Sequence, residues 1–156
     1  MNPKVVRIIG LSLRLALGGL LLFAGVSKLR DPAGFSQEIA NYQLMPELAP
    51  YVAVTLPAIE LLVGGALLFS PWRWRQAGAV SAALLLGVFL VAVGSAVARG
   101  LDITCGCFGT GTSPVSWWTV LRNLGLVAAA VLLLRLDRPK STRPEATRPA
   151  EEPERR

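Results

Sequence analysis

The chain has 156 residues, of which 53% are hydrophobic and 17% charged, and its mean hydropathy is +0.51. A soluble domain of this length covers more of its surface with charge, so the composition is typical of a membrane protein. The chain has two cysteines and no histidine, which excludes a Ser-His-Asp triad and every zinc or haem site that uses imidazole. Its 16 basic and 10 acidic residues do not form a basic patch, because the basic ones lie at the ends of apolar runs. We therefore expect no nucleic-acid partner.

Four apolar runs predict four membrane-spanning helices, at about residues 5–28, 51–70, 76–98 and 115–136. Each run is long enough, because a bilayer core of about 30 Å needs roughly 20 helical residues. The first run also has features of a signal peptide, but Arg14 interrupts it and no convincing A-x-A cleavage site follows. The sequence therefore predicts an all-α, integral membrane four-helix bundle with up-down-up-down topology over residues 1–138.

The end of the chain, residues 139–156, has a different composition. It contains four prolines, five basic and four acidic residues, and no apolar run. Such a segment cannot bury enough apolar surface to fold, so we expect a disordered tail.

The distribution of basic residues predicts the orientation in the membrane. If the N-terminus is cytoplasmic, that side holds Lys4, Arg7, Arg73, Arg75 and seven basic residues from Arg135 onward. The opposite side then holds Lys28, Arg30 and Arg99. The positive-inside rule accordingly places both termini in the cytoplasm and both cysteines outside the cell membrane.

The stretch between the first two runs, residues 29–50, is too polar to span. The spacing of Phe35, Ile39 and Tyr42 fits one or two amphipathic helical turns on the outer surface, closed by Pro46 and Pro50.

Two charges of opposite sign lie inside predicted spans. Arg14 is nine residues past Val5, about 14 Å deep, and Glu60 is nine residues past Tyr51 from the opposite surface. A lone charge in lipid costs several kcal/mol, so we expect Arg14 and Glu60 to form an ion pair that fixes the register of the first two spans. The functional alternative is a proton or quinone-headgroup site centred on Glu60.

The residues best suited to chemistry are Cys105 and Cys107, which are separated by Gly106 in the loop before the last span. A disulfide between Cys105 and Cys107 would close a ring of only three residues, and so small a ring would be strained. Strained, exposed disulfides exchange readily with other thiols. Thiol–disulfide exchange is the leading interpretation; a static disulfide and a soft metal such as Cu(I) held by two thiolates are the alternatives. Such a metal site would have few further ligands, since the chain has no His and its two methionines, Met1 and Met45, are far from the loop in sequence.

Two arginines near this loop would favour the reactive thiolate. Arg99 precedes the loop, and Arg122, with Asn123 beside it, lies about 8 Å below the outer edge of the last span. Contact of Arg122 with outer lipid headgroups is the alternative reading of that residue.

Several motifs in residues 5–136 resemble one family. They are Ala24-Gly25-x-x-Lys28-Leu29, Tyr42-x-Leu44-x-Pro46, Leu56-Pro57-x-x-Glu60-x-x-x-Gly64, Arg99-Gly100, Cys105-Gly106-Cys107-Phe108-Gly109 and Arg122-Asn123. With these motifs the chain resembles the MauE branch of the DoxX-like redox-associated membrane proteins. The resemblance implies a four-helix membrane protein that works with periplasmic thioredoxin-like partners in maturing the disulfide-rich small subunit of methylamine dehydrogenase. The wider group implies a link to the respiratory quinone pool.

Together these patterns predict a membrane thiol–disulfide redox protein that acts through Cys105 and Cys107 on an extracytoplasmic thioredoxin-like partner. If the protein is an enzyme, it is a thiol–disulfide oxidoreductase, and quinone is the one cofactor candidate. The alternative is a non-catalytic membrane assembly or maturation subunit with a structural disulfide.

Overall fold

The computed structural model describes residues 3–71, 74–101, 103 and 115–137, and within these ranges it contains helices and no strand. The elements are α1 (Pro3–Arg30), α2 (Pro32–Asn41), a 3-10 turn (Pro46–Leu48), α3 (Ala49–Phe69), α4 (Arg75–Ala98) and α5 (Trp117–Leu136). The predicted all-α fold is confirmed. The two cysteines and the predicted tail at 139–156 lie outside the described residues.

Four helices, α1, α3, α4 and α5, are long and apolar enough to cross a bilayer, with mean hydropathies between 1.7 and 2.4. The four predicted spans are therefore confirmed, and the chain is a multi-pass membrane protein. Large apolar side chains such as Phe23, Leu62 and Val91 are 60%, 73% and 72% exposed. Such faces are stable against lipid tails but costly in water.

α1 and α3 approach closely because glycines lie where they cross. A Cβ added at Gly64 would lie 2.9 Å from the backbone oxygen of Gly18, and one added at Gly25 would lie 3.0 Å from the backbone oxygen of Pro57. Residue numbers rise along one helix as they fall along the other, so the two helices are antiparallel. This matches the use of small residues for helix packing in lipid.

The other contacts close the bundle. α4 packs along α5, while α3 contacts α4 and α1 contacts α5. Their shared core contains Leu17, Leu67, Leu86 and Leu133, each at most 3% exposed. At one end Gln76 Nε2 donates a hydrogen bond to the backbone oxygen of Asp137 over 2.9 Å, which ties the start of α4 to the end of α5.

The predicted amphipathic segment between the first two spans forms α2 and the 3-10 turn. The side chain of Asp31 caps α2 by accepting a hydrogen bond from the Gly34 amide over 2.9 Å, and Pro32 occupies the first turn. Phe35 is buried, and α2 packs against α3. Pro46 begins the 3-10 turn, and Pro50 lies in the first turn of α3 instead of ending the segment.

Candidate functional site

A buried ion pair joins the last turn of α1 to the middle of α3. Lys28 Nζ lies 2.6 Å from Glu60 Oε1, and each side chain is 1% exposed. Side chains on a helix point towards its N-terminus, so the long lysine on the last turn of α1 reaches back into the bundle. Sequence reasoning placed Lys28 in the outer flank and missed this role.

The predicted pair between Arg14 and Glu60 is wrong. Arg14 instead forms an ion pair with Asp137, at the opposite end of the bundle from α2. The contacts of Gly18 with Gly64 and of Gly25 with Pro57 set a register in which Arg14 lies level with the last turn of α3. Glu60 is then eight residues away along α3, about 12 Å. Counting residues from each predicted membrane surface did not detect this offset.

Aromatic rings surround the ammonium group of Lys28. Its Nζ lies 5.3 Å from the ring centroid of Phe35 on α2 and 5.4 Å from that of Phe89 on α4. Both distances are within the range of cation–π attraction, which is stronger where water is excluded. α2 therefore covers the ion pair and also contributes to stabilising its cation.

An apolar cavity of about 290 Å³ leads to this lysine. Among its lining residues, three carry polar or charged groups, namely Lys28, Glu38 and Tyr42. The others are apolar and come from α2, the 3-10 turn, α3 and α4: Phe35, Ile39, Leu44, Met45, Leu48, Val52, Leu56, Val88, Phe89, Ala92 and Val93. The cavity thus has a hydrophobic body, and its described lining contains one cation at Lys28, one carboxylate at Glu38 and one phenol at Tyr42.

Glu60 and Asn123 line a separate, smaller cavity of about 20 Å³. Asn123 is buried and donates a hydrogen bond from Nδ2 to the backbone oxygen of Thr119 over 2.9 Å. Glu60 Oε2 is also buried and has no hydrogen-bond partner among the described residues. Asn123, predicted as a supporting residue, therefore lies on the Glu60 side of the bundle core, whereas its neighbour Arg122 is exposed on the surface.

Arg99, the other predicted supporting residue, binds the segment that follows α2. Its Nη2 donates a hydrogen bond to the backbone oxygen of Tyr42 over 2.6 Å, and its Nε donates to the backbone oxygen of Ser95 over 3.1 Å. Arg99 thereby fixes one edge of the apolar cavity, to which Tyr42 contributes. Sequence reasoning assigned Arg99 to the cysteines and did not anticipate this contact.

The segment that carries Cys105 and Cys107 begins and ends at this same end of the bundle. The amide of Val115 donates a hydrogen bond to the backbone oxygen of Ile103 over 2.8 Å. Ile103 follows α4 and Val115 precedes α5, so this bond closes the base of the connection. Cys105 follows Ile103 by two residues in sequence.

Four of the motifs on which the resemblance rests contact one another in pairs among the described residues. Gly25 and Lys28 of the first motif contact Pro57 and Glu60 of the motif in α3. Arg99 joins the motif that begins at Tyr42. Residues distant in sequence therefore form one connected structure at the α2 end of the bundle.

Comparison with known proteins identifies the family. Residues 6–136 match the family model described as methylamine utilisation protein MauE. Methylamine utilization protein MauE of Paracoccus denitrificans is 42% identical over 125 residues, which cover 78% of this chain and 66% of that protein. The protein of the same name from Paracoccus versutus is 38% identical over 142 residues, covering 87% of this chain and 75% of its own length. No solved structure matches the chain. The chain belongs to the methylamine utilisation protein MauE family.

Proposed function

We propose that this member of the MauE family exchanges disulfides, through Cys105 and Cys107, with an extracytoplasmic thioredoxin-like partner during methylamine utilisation. The observation that carries the proposal is the Cys-Gly-Cys sequence on a connection whose base is closed by the Ile103–Val115 hydrogen bond. We infer that a connection held at its base would let the cysteine pair meet a partner while the bundle stays anchored in lipid. The distribution of basic residues supports an outer location for this connection.

The exchange proceeds in two balanced steps. The thiolate of one cysteine attacks a sulfur of the partner's disulfide, so that bond breaks, a mixed disulfide forms, and the other partner sulfur leaves as a thiolate. The second cysteine then attacks the mixed disulfide, which forms a bond between Cys105 and Cys107 and releases the partner as a dithiol. Two electrons pass from the chain to the partner, and the reverse sequence oxidises the partner instead.

The names of the relatives support the pathway. Both are called methylamine utilization protein MauE, and the family resemblance implies a role in maturing the disulfide-rich small subunit of methylamine dehydrogenase. We propose the same role here, with the thioredoxin-like partner between the membrane protein and the maturing subunit.

We propose the apolar cavity at Lys28 as the site of a membrane quinone. The cavity of about 290 Å³ is close to the lower end of the usual range for small-molecule sites, about 300–1,000 Å³. Phe35 and Phe89 would contact a flat ring, and Lys28 Nζ would donate a hydrogen bond to a carbonyl oxygen. A quinone supplies, when bound, an acceptor for two electrons and two protons, which a dithiol must release to become a disulfide.

Quinone binding is testable by extraction. The purified wild-type protein should retain ubiquinone or menaquinone added in detergent, and Ala92→Trp, which fills the cavity, should abolish retention. Ala128→Trp is the control, because Ala128 is exposed on α5 and does not line this cavity. Equal retention by all three proteins would contradict a quinone site at Lys28.

The exchange reaction is tested by trapping its intermediate. A Cys107→Ser protein lacks the resolving sulfur, so it should accumulate a mixed disulfide with its partner that disappears under reductant. We expect less trapping with Cys105→Ser, because we propose Cys105 as the attacking nucleophile: Cys107, and not Cys105, is followed directly in sequence by an aromatic residue, Phe108. The Cys105→Ser, Cys107→Ser double variant is the control for non-covalent capture.

Two outcomes would reject the exchange reaction. One is the absence of any trapped partner from both single variants while the wild-type protein is active. The other is full activity of an inserted Cys107→Ser protein. Either result would favour the non-catalytic assembly subunit, in which a disulfide only maintains the shape of the connection.

A further inference from the structure

A second cavity, of about 620 Å³, lies at the end of the bundle opposite α2. It is formed by the first half of α1, the last turn of α3, the start of α4 and the end of α5. Its charged lining consists of Arg7, Arg14, Arg75 and Asp137. Three arginines and one aspartate therefore line the cavity, and its charged lining has an excess of positive charge.

The positive charge of the cavity lining includes a buried residue, Arg14. The residue is 6% exposed and pairs with Asp137. Its Nη1 is buried and, in the part of the chain that the structure describes, donates no hydrogen bond. A buried guanidinium nitrogen without an acceptor is costly, and an anion bound in the cavity that Arg14 lines would reduce the cost of this buried charge.

The rest of the wall is apolar and continues onto the outer face of the bundle. Leu11 and Leu15 line the cavity and are each 58% exposed, and Leu68 lines it from α3. Gly10 lies between Arg7 and Arg14, and a Cβ built on it would have nothing within 4 Å. The missing side chain leaves space between the two arginines on α1.

We propose that this cavity binds an anionic phospholipid. Its phosphodiester would accept hydrogen bonds from Arg7, Arg14 and Arg75, and one acyl chain would lie along Leu11 and Leu15. Arginine forms strong paired hydrogen bonds to phosphate oxygens, and basic pockets between membrane helices on the cytoplasmic side suit anionic headgroups. Free phosphate satisfies the arginines but leaves the apolar wall without a partner, so the structure favours the lipid.

The level of the arginines along the bundle supports this occupant. In the register of α1 with α3, Arg14 lies beside the last turn of α3, and Arg7 is two helical turns further out, about 10 Å. Arg14 therefore lies level with the end of α3 and Arg7 lies further out, so a phosphate held between them would lie near the membrane surface. Leu15 is eight residues past Arg7 and about 12 Å deeper than that arginine, towards the acyl chains.

Native mass spectrometry of the full chain in detergent provides the test. Phosphatidylglycerol, phosphatidylcholine and inorganic phosphate are added separately, and the retained fraction is measured. We expect retention of phosphatidylglycerol, which carries a net negative charge, and little retention of zwitterionic phosphatidylcholine or free phosphate. Equal retention of both lipids would overturn the proposal, and retention of phosphate alone would reduce the cavity to a simple anion site.

Two kinds of variant test separately the positive charge of the cavity and the open space between its arginines. Arg7→Gln with Arg75→Gln leaves the Arg14–Asp137 pair intact and should weaken phosphatidylglycerol binding about 30-fold, since each basic residue near an anionic lipid contributes about a fivefold factor. The matched control is Arg30→Gln with Arg135→Gln, which removes two exposed arginines that do not line the cavity.

Gly10→Leu keeps every charge and fills the space between Arg7 and Arg14. It should reduce phosphatidylglycerol retention at least tenfold without lowering thermal stability in lipid-free detergent, because a Cβ at this position has nothing within 4 Å and the rest of the side chain would extend into the cavity that Gly10 lines. Gly19→Leu is the control, since Gly19 also faces open space but lies outside the cavity. If the double arginine variant and Gly10→Leu both bind phosphatidylglycerol as the wild type does, the lipid lies elsewhere and the proposal fails.

Discussion

Lys28 and Glu60 form a buried ion pair, with 2.6 Å between Nζ and Oε1 and side chains that are each 1% exposed. The pair lies at the crossing of α1 with α3, beneath α2. Removing one member of a buried pair strands the other charge and costs about 3–5 kcal/mol, whereas replacing both with apolar residues is often neutral. The two residues therefore depend on each other for stability.

Glu60→Leu alone should strongly destabilise the protein in detergent, by about 3–5 kcal/mol. Glu60→Leu combined with Lys28→Met should recover most of that loss, measured as the unfolding temperature of the purified protein. Glu47→Gln, at an exposed position in the 3-10 turn, serves as the control for losing a carboxylate. If Arg14→Leu, and not Lys28→Met, recovers the unfolding temperature of Glu60→Leu, the Lys28–Glu60 pair is contradicted and the predicted Arg14–Glu60 pair is supported.

The Arg14–Asp137 pair is expected to contribute less. Asp137 follows the last residue of α5, and its side chain is 12% exposed, so Arg14 retains some access to the interface when its partner is lost. Asp137→Asn should therefore lower the free energy of unfolding by about 1–3 kcal/mol. Unfolding temperatures of Asp137→Asn and Glu60→Leu, measured side by side, test this ranking. An equal or larger loss for Asp137→Asn would contradict it.

The helices could be predicted from the sequence, and the ion pairs could not. Bilayer thickness fixes how long an apolar run must be, so the predicted bounds of the four spans lie within two residues of the ends of α1, α3, α4 and α5. Pairing depends instead on the register between helices, which the contacts of Gly18 and Gly25 set. Composition does not reveal such contacts, because glycine is common in membrane helices.

Two site residues were missed for a related reason. Lys28 resembles an ordinary basic flank at the end of an apolar run, and Asp137 lies just beyond the last one. The motif Ala24-Gly25-x-x-Lys28 contained a usable signal, since a glycine one turn before a lysine permits close approach to the helix that supplies Glu60. The motif predicts the pair of Lys28 with Glu60 only once the position of α3 against α1 is known.

Close packing of α1 with α3 predicts different tolerances at two adjacent glycines. A Cβ at Gly64 would lie 2.9 Å from the backbone oxygen of Gly18, whereas one at Gly65 would have nothing within 4 Å. Gly64→Ala should therefore separate the helices and cost about 1–3 kcal/mol. Gly65→Ala should be neutral or slightly stabilising, since alanine is the better helix former. Unfolding temperatures in detergent distinguish the two, and equal values would disprove the close contact.

The proposed orientation predicts which face of the membrane exposes the cysteines. After mild reduction, a membrane-impermeant maleimide should label Cys105 or Cys107 in intact cells. A protein with both cysteines changed to serine and with Ser141→Cys should react only after the inner membrane is permeabilised. The reverse pattern would invert the orientation derived from the basic residues.

The hydrogen bond from Arg99 to the Tyr42 backbone predicts a local change without global unfolding. Arg99 connects the end of α4 to the segment between α2 and the 3-10 turn. A hydrogen bond from a charged donor contributes about 1.5–3 kcal/mol, so its loss in Arg99→Gln should accelerate amide hydrogen exchange in residues 42–48 by about tenfold or more.

Hydrogen exchange followed by mass spectrometry measures that change peptide by peptide. Peptides from α1 and α5 should exchange at the wild-type rate, because the hydrogen bonds of Arg99 within the described residues go to Ser95 and Tyr42 and to neither of these helices. Arg30→Gln is the matched control, since Arg30 is an exposed arginine at the same end of the bundle. Arg99→Lys should give intermediate exchange, because an ammonium group cannot reach Ser95 and Tyr42 with the fixed fork of a guanidinium. Unchanged exchange at residues 42–48 in Arg99→Gln would show that other contacts hold this edge of the apolar cavity, and that Arg99 is free to act on the cysteine connection instead.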